Sequence, residues 1–265
     1  MKKSMLFAAL CLSAAALSAA ETIEIKSYKD WAKGSFVRLQ ADGVWEVPGS
    51  RDLSNAKSFK VDPAKKYTLS FEVRKTPETQ KVFFYAGFWP LNEDMVRISP
   101  HHARCERNSE TVLTADAASG SKSIRINQPK RWKKGAKTWC VSFNDRKNCS
   151  GLDMNVICNA GCGEQAADGS MEVTLKAPLT KDYKAGTPVH FHSDGPGMYS
   201  ACKEKDPATE WEKISVTVSG IQTAAGAPGY DRWWMGTKYG KLRFLIASRD
   251  RNAKVQLRNI KLTVE

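Results

Sequence analysis

The sequence predicts an all-β protein, an antiparallel β-sandwich, and two observations predict it. Helix signals are nearly absent, and short stretches of alternating polar and apolar residues recur along the whole chain. Gly, Pro, Asp and Asn punctuate those stretches, as they do in sandwiches and barrels.

In chain order, "TIEIKS" (22–27) alternates, and "SFVRLQ" (35–40) leads through "ADG" into "VWEVP" (44–48), a hairpin pattern. "KSFKV" (57–61) runs into the turn "DPAKK" and then "YTLSFEVRK" (67–75). There Tyr67, Leu69, Phe71 and Val73 share one face and Thr68, Ser70, Glu72 and Arg74 the other, because strand side chains alternate. "QKVFFYAGFW" (80–89) is more uniformly apolar and reads as a central strand. Further strands are expected in "ETVLTA", "KSIRIN", "TWCVSF", "MEVTLK", "PVHFHS", "EKISVTVSG", "GKLRFLIAS" and "KVQLRNIKLTV". In "GKLRFLIAS", Phe244 and Ile246 belong to the core face. In the last strand the apolar phase of Val255, Leu257, Ile260, Leu262 and Val264 breaks near Asn259, the mark of a bulge. Long irregular inserts are expected at about 99–120, 127–137, 144–170 and 193–210.

Residues 1–20 read as a secretory signal peptide. Lys2 and Lys3 form the positive start, Met5 to Leu17 an apolar run too short to span a bilayer, and Ser18, Ala19 and Ala20 a small-residue cleavage site. The expectation is a bacterial protein exported to the periplasm or beyond, with residues 21–265 as one β-sandwich domain and no membrane span. The formal charge of +13 becomes +11 once Lys2 and Lys3 leave. That balance suits acidic glycans or other anionic polymers, and export argues against nucleic acid. Six cysteines remain, and an even number outside the cell implies disulfides. Of fifteen pairings, Cys140–Cys149 and Cys158–Cys162 are favoured as local clips, with Cys105–Cys202 joining distant segments; zinc at "CNAGC" is the minor alternative.

Three segments carry a family resemblance. "AKSFKVDPAKKYTLSFEVRK", "WEKISVTVSG" and "VQLRNIKLTVE" resemble strands of galactose-binding-like jelly rolls, which include several carbohydrate-binding modules. The resemblance implies a jelly roll, a glycan partner and, as in some relatives, a structural calcium; no other cofactor is expected.

Candidate ligand-binding residues follow from aromatic and basic neighbours, since flat rings suit the C–H faces of sugars and cations suit carboxylate or sulfate groups. "GYDRWWMGTKYG" supplies Tyr230, Arg232, Trp233, Trp234 and Tyr239, with one tryptophan expected to plug the fold and the other to reach solvent. Trp132 stands among Lys130, Arg131, Lys133, Lys134 and Lys137. His190 and His192 share one strand face and His101 and His102 open a loop, so a metal site or a general base is weighed against interior histidines. No HExxH or nucleophile motif is present, so no catalytic residue is assigned. "DYKAGTPVHF" faintly resembles a strand of alginate-lyase-like jelly rolls, but the Arg-Glu-Leu-Arg strand of that group is missing. Glycosidase chemistry needs two carboxylates about 5–10 Å apart, and Glu72 and Glu172 are the strand carboxylates considered. The sequence therefore favours a secreted lectin-like protein, with a polysaccharide lyase or hydrolase and an adhesive surface protein as alternatives.

Overall fold

The computed structural model describes residues 20–33, 36–106, 108–127, 132, 139–143, 156–158, 160–193, 200–223, 231–250 and 252–265. Strands β1 (Glu21–Glu24), β2 (Arg38–Leu39), β3 (Trp45–Pro48), β4 (Arg51–Ser54), β5 (Phe59–Lys60), β6 (Lys66–Lys75) and β7 (Phe83–Leu91) lead to a short helix, α1 (Pro100–Ala103). There follow β8 (Thr111–Val112), β9 (Ser123–Asn127), β10 (Trp139–Phe143), β11 (Val156–Cys158), β12 (Gly161–Gln165), β13 (Ser170–Thr174) and β14 (Pro188–Ser193). The chain then returns through β15 (Ser200–Lys205), β16 (Glu212–Ser219), β17 (Tyr239–Ala247) and β18 (Lys254–Val264).

The all-β expectation holds. A six-stranded antiparallel sheet has the order β16-β6-β18-β3-β2, with β1 added on β18. A five-stranded sheet has the order β15-β7-β17-β4, with β5 added on β17. Both sheets send alternate side chains into one apolar cluster. Tyr67, Leu69, Phe71 and Val73 are its β6 members and Phe244 and Ile246 its β17 members, all at most 2 % exposed, as the period-two pattern requires. Ring contacts join the two sheets: Phe71 meets Phe244 edge-on at 5.2 Å, Tyr67 meets Trp233 at 5.4 Å, and Trp31 bridges Trp45 and Phe244. β7 is central, between β15 and β17, which explains its apolar run. The break at Asn259 is a register shift between Arg258 and Lys261, with Asn259 at φ 53° in the left-handed region and its amide bonded to Glu72.

Among the described residues the expected inserts carry α1, β11, β12 and β15, while most of 127–137 and all of 144–155 lie outside the described residues. Between β7 and β15 the chain builds two further sheets, β11-β10-β14-β8 and β12-β13-β9. They enclose a second apolar cluster, drawn from residues 113–191 and including Trp132, Phe143, Tyr183 and Phe191. The apolar residues thus divide between two main cores where one was expected. β8, β9, β10, β13 and β14 fall where strands were expected; β11, β12 and β15 were not expected, since they are short and Gly, Cys and charged residues interrupt the alternation of β12 and β15.

Gly240 shows how tightly the first core is closed. It sits on β17 opposite Phe59, and a Cβ there would lie 2.6 Å from the Phe59 ring and 2.8 Å from Trp233. Gly240→Ala is expected to lower stability by about 1–3 kcal/mol, the usual cost of overpacking. Urea unfolding followed by tryptophan fluorescence measures it; an unchanged midpoint would refute this packing.

Candidate functional site

The residues singled out in the sequence do not converge. Trp233 and Trp234 are 0 % and 1 % exposed, so neither reaches solvent and the expected division of roles is corrected. They point to opposite sides of the five-stranded sheet. Trp233 enters the main core against Phe88, with ring centroids 5.1 Å apart. Trp234 joins Ile98 and Ala103 in a small cluster on the outer side, against Tyr85, Trp89 and Cys202. Trp132 is 1 % exposed, and its indole donates to the Ser109 carbonyl at 2.9 Å. Arg232 is exposed, Tyr239 is half-buried on β17, and Tyr230 lies outside the described residues.

His190 and His192 are interior residues, each 1 % exposed. The His192 Nδ1–H donates to the His101 carbonyl at 2.6 Å, which seats α1 on β14, and His102 Nδ1 accepts the Ser99 amide at 2.9 Å, which caps α1. His190 Nδ1 is 3.9 Å from Cys105 Sγ. Burial holds the His192 pKa down at about 4, against the raising effect of its bond to His101. Among the described residues no group of three or more His, Cys, Asp or Glu side chains is arranged to hold a metal ion.

The three expected disulfides are not formed, because Cys140, Cys162 and Cys202 are not disulfide-bonded. Topology separates the proposed partners. Cys158 and Cys162 lie in different sheets, and Cys162 is buried in the second core, where desolvation pushes its thiol up to about 11. Cys140 faces Cys158 and His192 in register, while Cys202 lies on β15 beside the Trp234 cluster. Cys105 is disulfide-bonded, and Cys149 lies outside the described residues.

A different constellation forms on the outer face of the five-stranded sheet, where the β7–β15 insert begins. On β7, Phe84, Ala86 and Phe88 point into the core, so Tyr85 and Trp89 point out. On β17, Lys241 and Arg243 share that outer face, opposite Trp89 and Gly87 in register. Gly87 carries no side chain, and the Arg243 guanidinium lies 4.8 Å from the Trp89 ring centre. Arg97, reached just after β7, places its guanidinium 5.2 Å from the same ring. Asp52 on β4 accepts two hydrogen bonds from Arg243, at 3.0 and 2.8 Å. Glu204 on β15 bonds Tyr85; burial and that carboxylate raise the phenol pKa, so Tyr85 stays protonated at neutral pH. Both carboxylates are thus engaged, whereas among the described residues no carboxylate forms an ion pair with Arg97. Partial burial, then the nearby Arg243, lowers the Arg97 pKa, with Asp52 opposing. An arginine still remains charged at any ordinary pH. The Trp89 indole nitrogen is buried with no hydrogen-bond partner. Chemically this is an aromatic wall beside the Arg97 guanidinium, which forms no ion pair among the described residues and is suited to a carboxylate or sulfate.

Of these residues the sequence reading included none, yet its own rule reaches several. Odd positions of "FFYAGFW" and "GKLRFLIAS" carry Tyr85, Trp89, Lys241 and Arg243 on the face opposite the core. Glu72 and Glu172 do not form an acid pair: Glu72 is bound by Arg258 and Asn259 in the six-stranded sheet, and Glu172 lies opposite Arg125 in the three-stranded sheet.

A cavity of about 770 Å³ opens elsewhere, floored by Phe59 and Tyr67 and rimmed by Lys29, Lys57, Asp30 and Asp62. Its charges are mixed, and its polar groups are spent locally: Asp30 Oδ2 accepts from the Lys26 and Ser27 amides, and the Tyr67 hydroxyl serves the Asp62 amide. The chain matches no protein-family model and no curated protein sequence.

Two outcomes test this description. Trp233→Ala and Trp234→Ala are both expected to destabilise the fold, by about 3–5 kcal/mol each, as large buried truncations do; a Trp234→Ala protein as stable as the parent would place that ring in solvent. His192 binds its proton more weakly folded than unfolded, so its contribution is complete above about pH 6.5 and is lost as the pH falls toward about 4. Thermal melts between those values are expected to show a loss on the order of 3 kcal/mol that His192→Gln removes; the same slope in both proteins would refute it.

Proposed function

We propose that this is an exported carbohydrate-binding protein of jelly-roll type, whose ligand is an acidic or sulfated glycan held at Trp89, Arg97 and Arg243. Four lines support the reading. The orders β3-β18-β6-β16 and β4-β17-β7-β15, within the six- and five-stranded sheets, are compatible with the two four-stranded sheets of a jelly roll. The resemblance of β6, β16 and β18 to galactose-binding-like modules falls on strands of one of those sheets. The amino-terminal residues have signal-peptide character, and no helix among the described residues is long and apolar enough to cross a membrane. The observation that carries the proposal is the Trp89 ring flanked by Arg243, already paired with Asp52, and by Arg97, which pairs with no carboxylate among the described residues.

A free guanidinium beside an aromatic wall makes two parallel hydrogen bonds to a planar carboxylate or to sulfate oxygens, and the ring packs against the sugar's C–H face. The insert begins at this face and shields one flank of Trp89 through Ile98 and Ala103, which reduces solvent around the ion pair. Lyase chemistry on the same face would need a base to remove a proton next to the uronate carboxyl. Tyr85 is poorly suited, since Glu204 and burial hold it as the neutral phenol.

Retention in affinity gels containing alginate, pectate or a sulfated galactan tests the proposal. The parent protein is expected to be retarded by at least one, less so as salt rises, because the paired charges are screened within about 8–10 Å. Arg97→Ala is expected to weaken retention about tenfold or more, the scale of a lost charge-assisted hydrogen bond, with the melting temperature unchanged. Full retention by Arg97→Ala would remove this face from the site.

A further inference from the structure

The opposite sheet repeats the constellation. On the outer face of the six-stranded sheet, the Trp211 ring lies 4.5 Å from the Arg74 guanidinium and 4.1 Å from that of Arg258. As at Trp89, one arginine is paired and the other is not: Arg258 meets Glu72 at 2.7 Å, while no carboxylate among the described residues pairs with Arg74. Arg74 ends a straight row of polar residues across four strands, Arg38, Glu46, Gln256 and Arg74, each in register with the next. Side chains in that row are joined. The Arg74 Nε–H donates to Gln256 at 2.7 Å, the Gln256 amide donates to Gln40 at 3.4 Å, and the Gln40 amide donates to Glu46 at 2.8 Å. Glu46 and Gln256 are 9 % and 8 % exposed, a high degree of burial for polar groups on an outer face. The Arg74 Nη groups donate to no protein acceptor among the described residues.

The row opens into a groove of about 460 Å³, bounded by Thr76–Glu78 on one side and Thr209–Glu210 on the other. We propose that this groove is a second ligand site, and that it takes a neutral, hydroxyl-rich saccharide. Its charge distinguishes it from the Trp89 face. Glu46, Glu78 and Glu210 line it beside Arg74, and Lys254 meets Glu46 at 3.6 Å, so three carboxylates face two cations and an acidic sugar is disfavoured. The planar groups present, a guanidinium, an amide and carboxylates, match vicinal hydroxyls, which both donate and accept. Trp211, next in sequence to Glu210 of the groove, backs the Arg74 guanidinium at 4.5 Å. The inference is independent of the acidic-glycan reading, since it uses another sheet and another ligand class. With both sites filled, the molecule joins a neutral chain on one face to an acidic chain on the other.

Affinity gels containing galactomannan, xyloglucan or laminarin test it, each run at low and at high salt. Retardation in at least one is expected, insensitive to salt, and weakened about tenfold by Arg74→Ala and by Glu78→Ala. Glu78 is exposed, so its variant remains informative if Arg74→Ala fails to fold. Arg97→Ala is expected to leave retention intact. No retardation in any of the three gels overturns the proposal, as does retardation unchanged by Glu78→Ala, or lost in Arg97→Ala. Failure on acidic gels alone leaves it standing.

Discussion

Everything in this molecule depends on one aromatic layer trapped between two sheets. Trp31, Trp45, Phe71, Phe84 and Phe244 interlock at one end, and Phe59, Tyr67, Phe88 and Trp233 at the other. Because strand side chains alternate, burying those rings fixes which residues face outward. Tyr85, Trp89 and Arg243 are outward because Phe84, Phe88 and Phe244 are inward. Arg74, Glu46 and Gln256 are outward because Val73, Trp45 and Leu257 are inward. A slip of one residue on β7 would bury Trp89 and expose Phe88, so the site and the core are one register.

Electrostatics then separate the two faces. On each, a tryptophan holds one arginine neutralised by a carboxylate and one that pairs with no carboxylate among the described residues. An unpaired arginine costs little while water reaches it, and it keeps donors available for a ligand. On the five-stranded sheet the remaining carboxylates are committed to Arg243 and Tyr85, and the balance favours an anion. On the six-stranded sheet Glu78 and Glu210 border the groove, and the balance favours hydroxyls.

The main core was legible in the sequence because its strands are long and regular. The alternation in "YTLSFEVRK" gives the β6 register, and the phase break at Asn259 marks a real bulge. The β7–β15 insert was less legible. β8, β9, β10, β13 and β14 fall in stretches that alternate in the sequence, but β11 and β12, three and five residues long, are too short for a periodic signal and read as loop. Cysteine pairing failed for a related reason: spacing along the chain says nothing about which sheet a cysteine joins, and Cys158 and Cys162 part company within four residues. The tryptophan pair misled because adjacency was taken to leave one ring in solvent; an insert packing on the outer face buries both. Trp89 was overlooked because a uniformly apolar run reads as wholly interior, although a central strand has two faces and this one is only partly covered.

The central claim is that the exposed side of the five-stranded sheet, and not the larger cavity near Phe59, receives the ligand. Nitrogen-15 NMR of the protein, titrated with a sulfated oligosaccharide, examines it at atomic level. The account predicts saturable shifts of the Trp89 indole N–H and of the Arg97 and Arg243 Nε–H signals, with the Trp233 indole unmoved in the core. Shifts confined to the cavity bounded by Lys29, Lys57 and Tyr67, with Trp89 and Arg97 unperturbed, would contradict it.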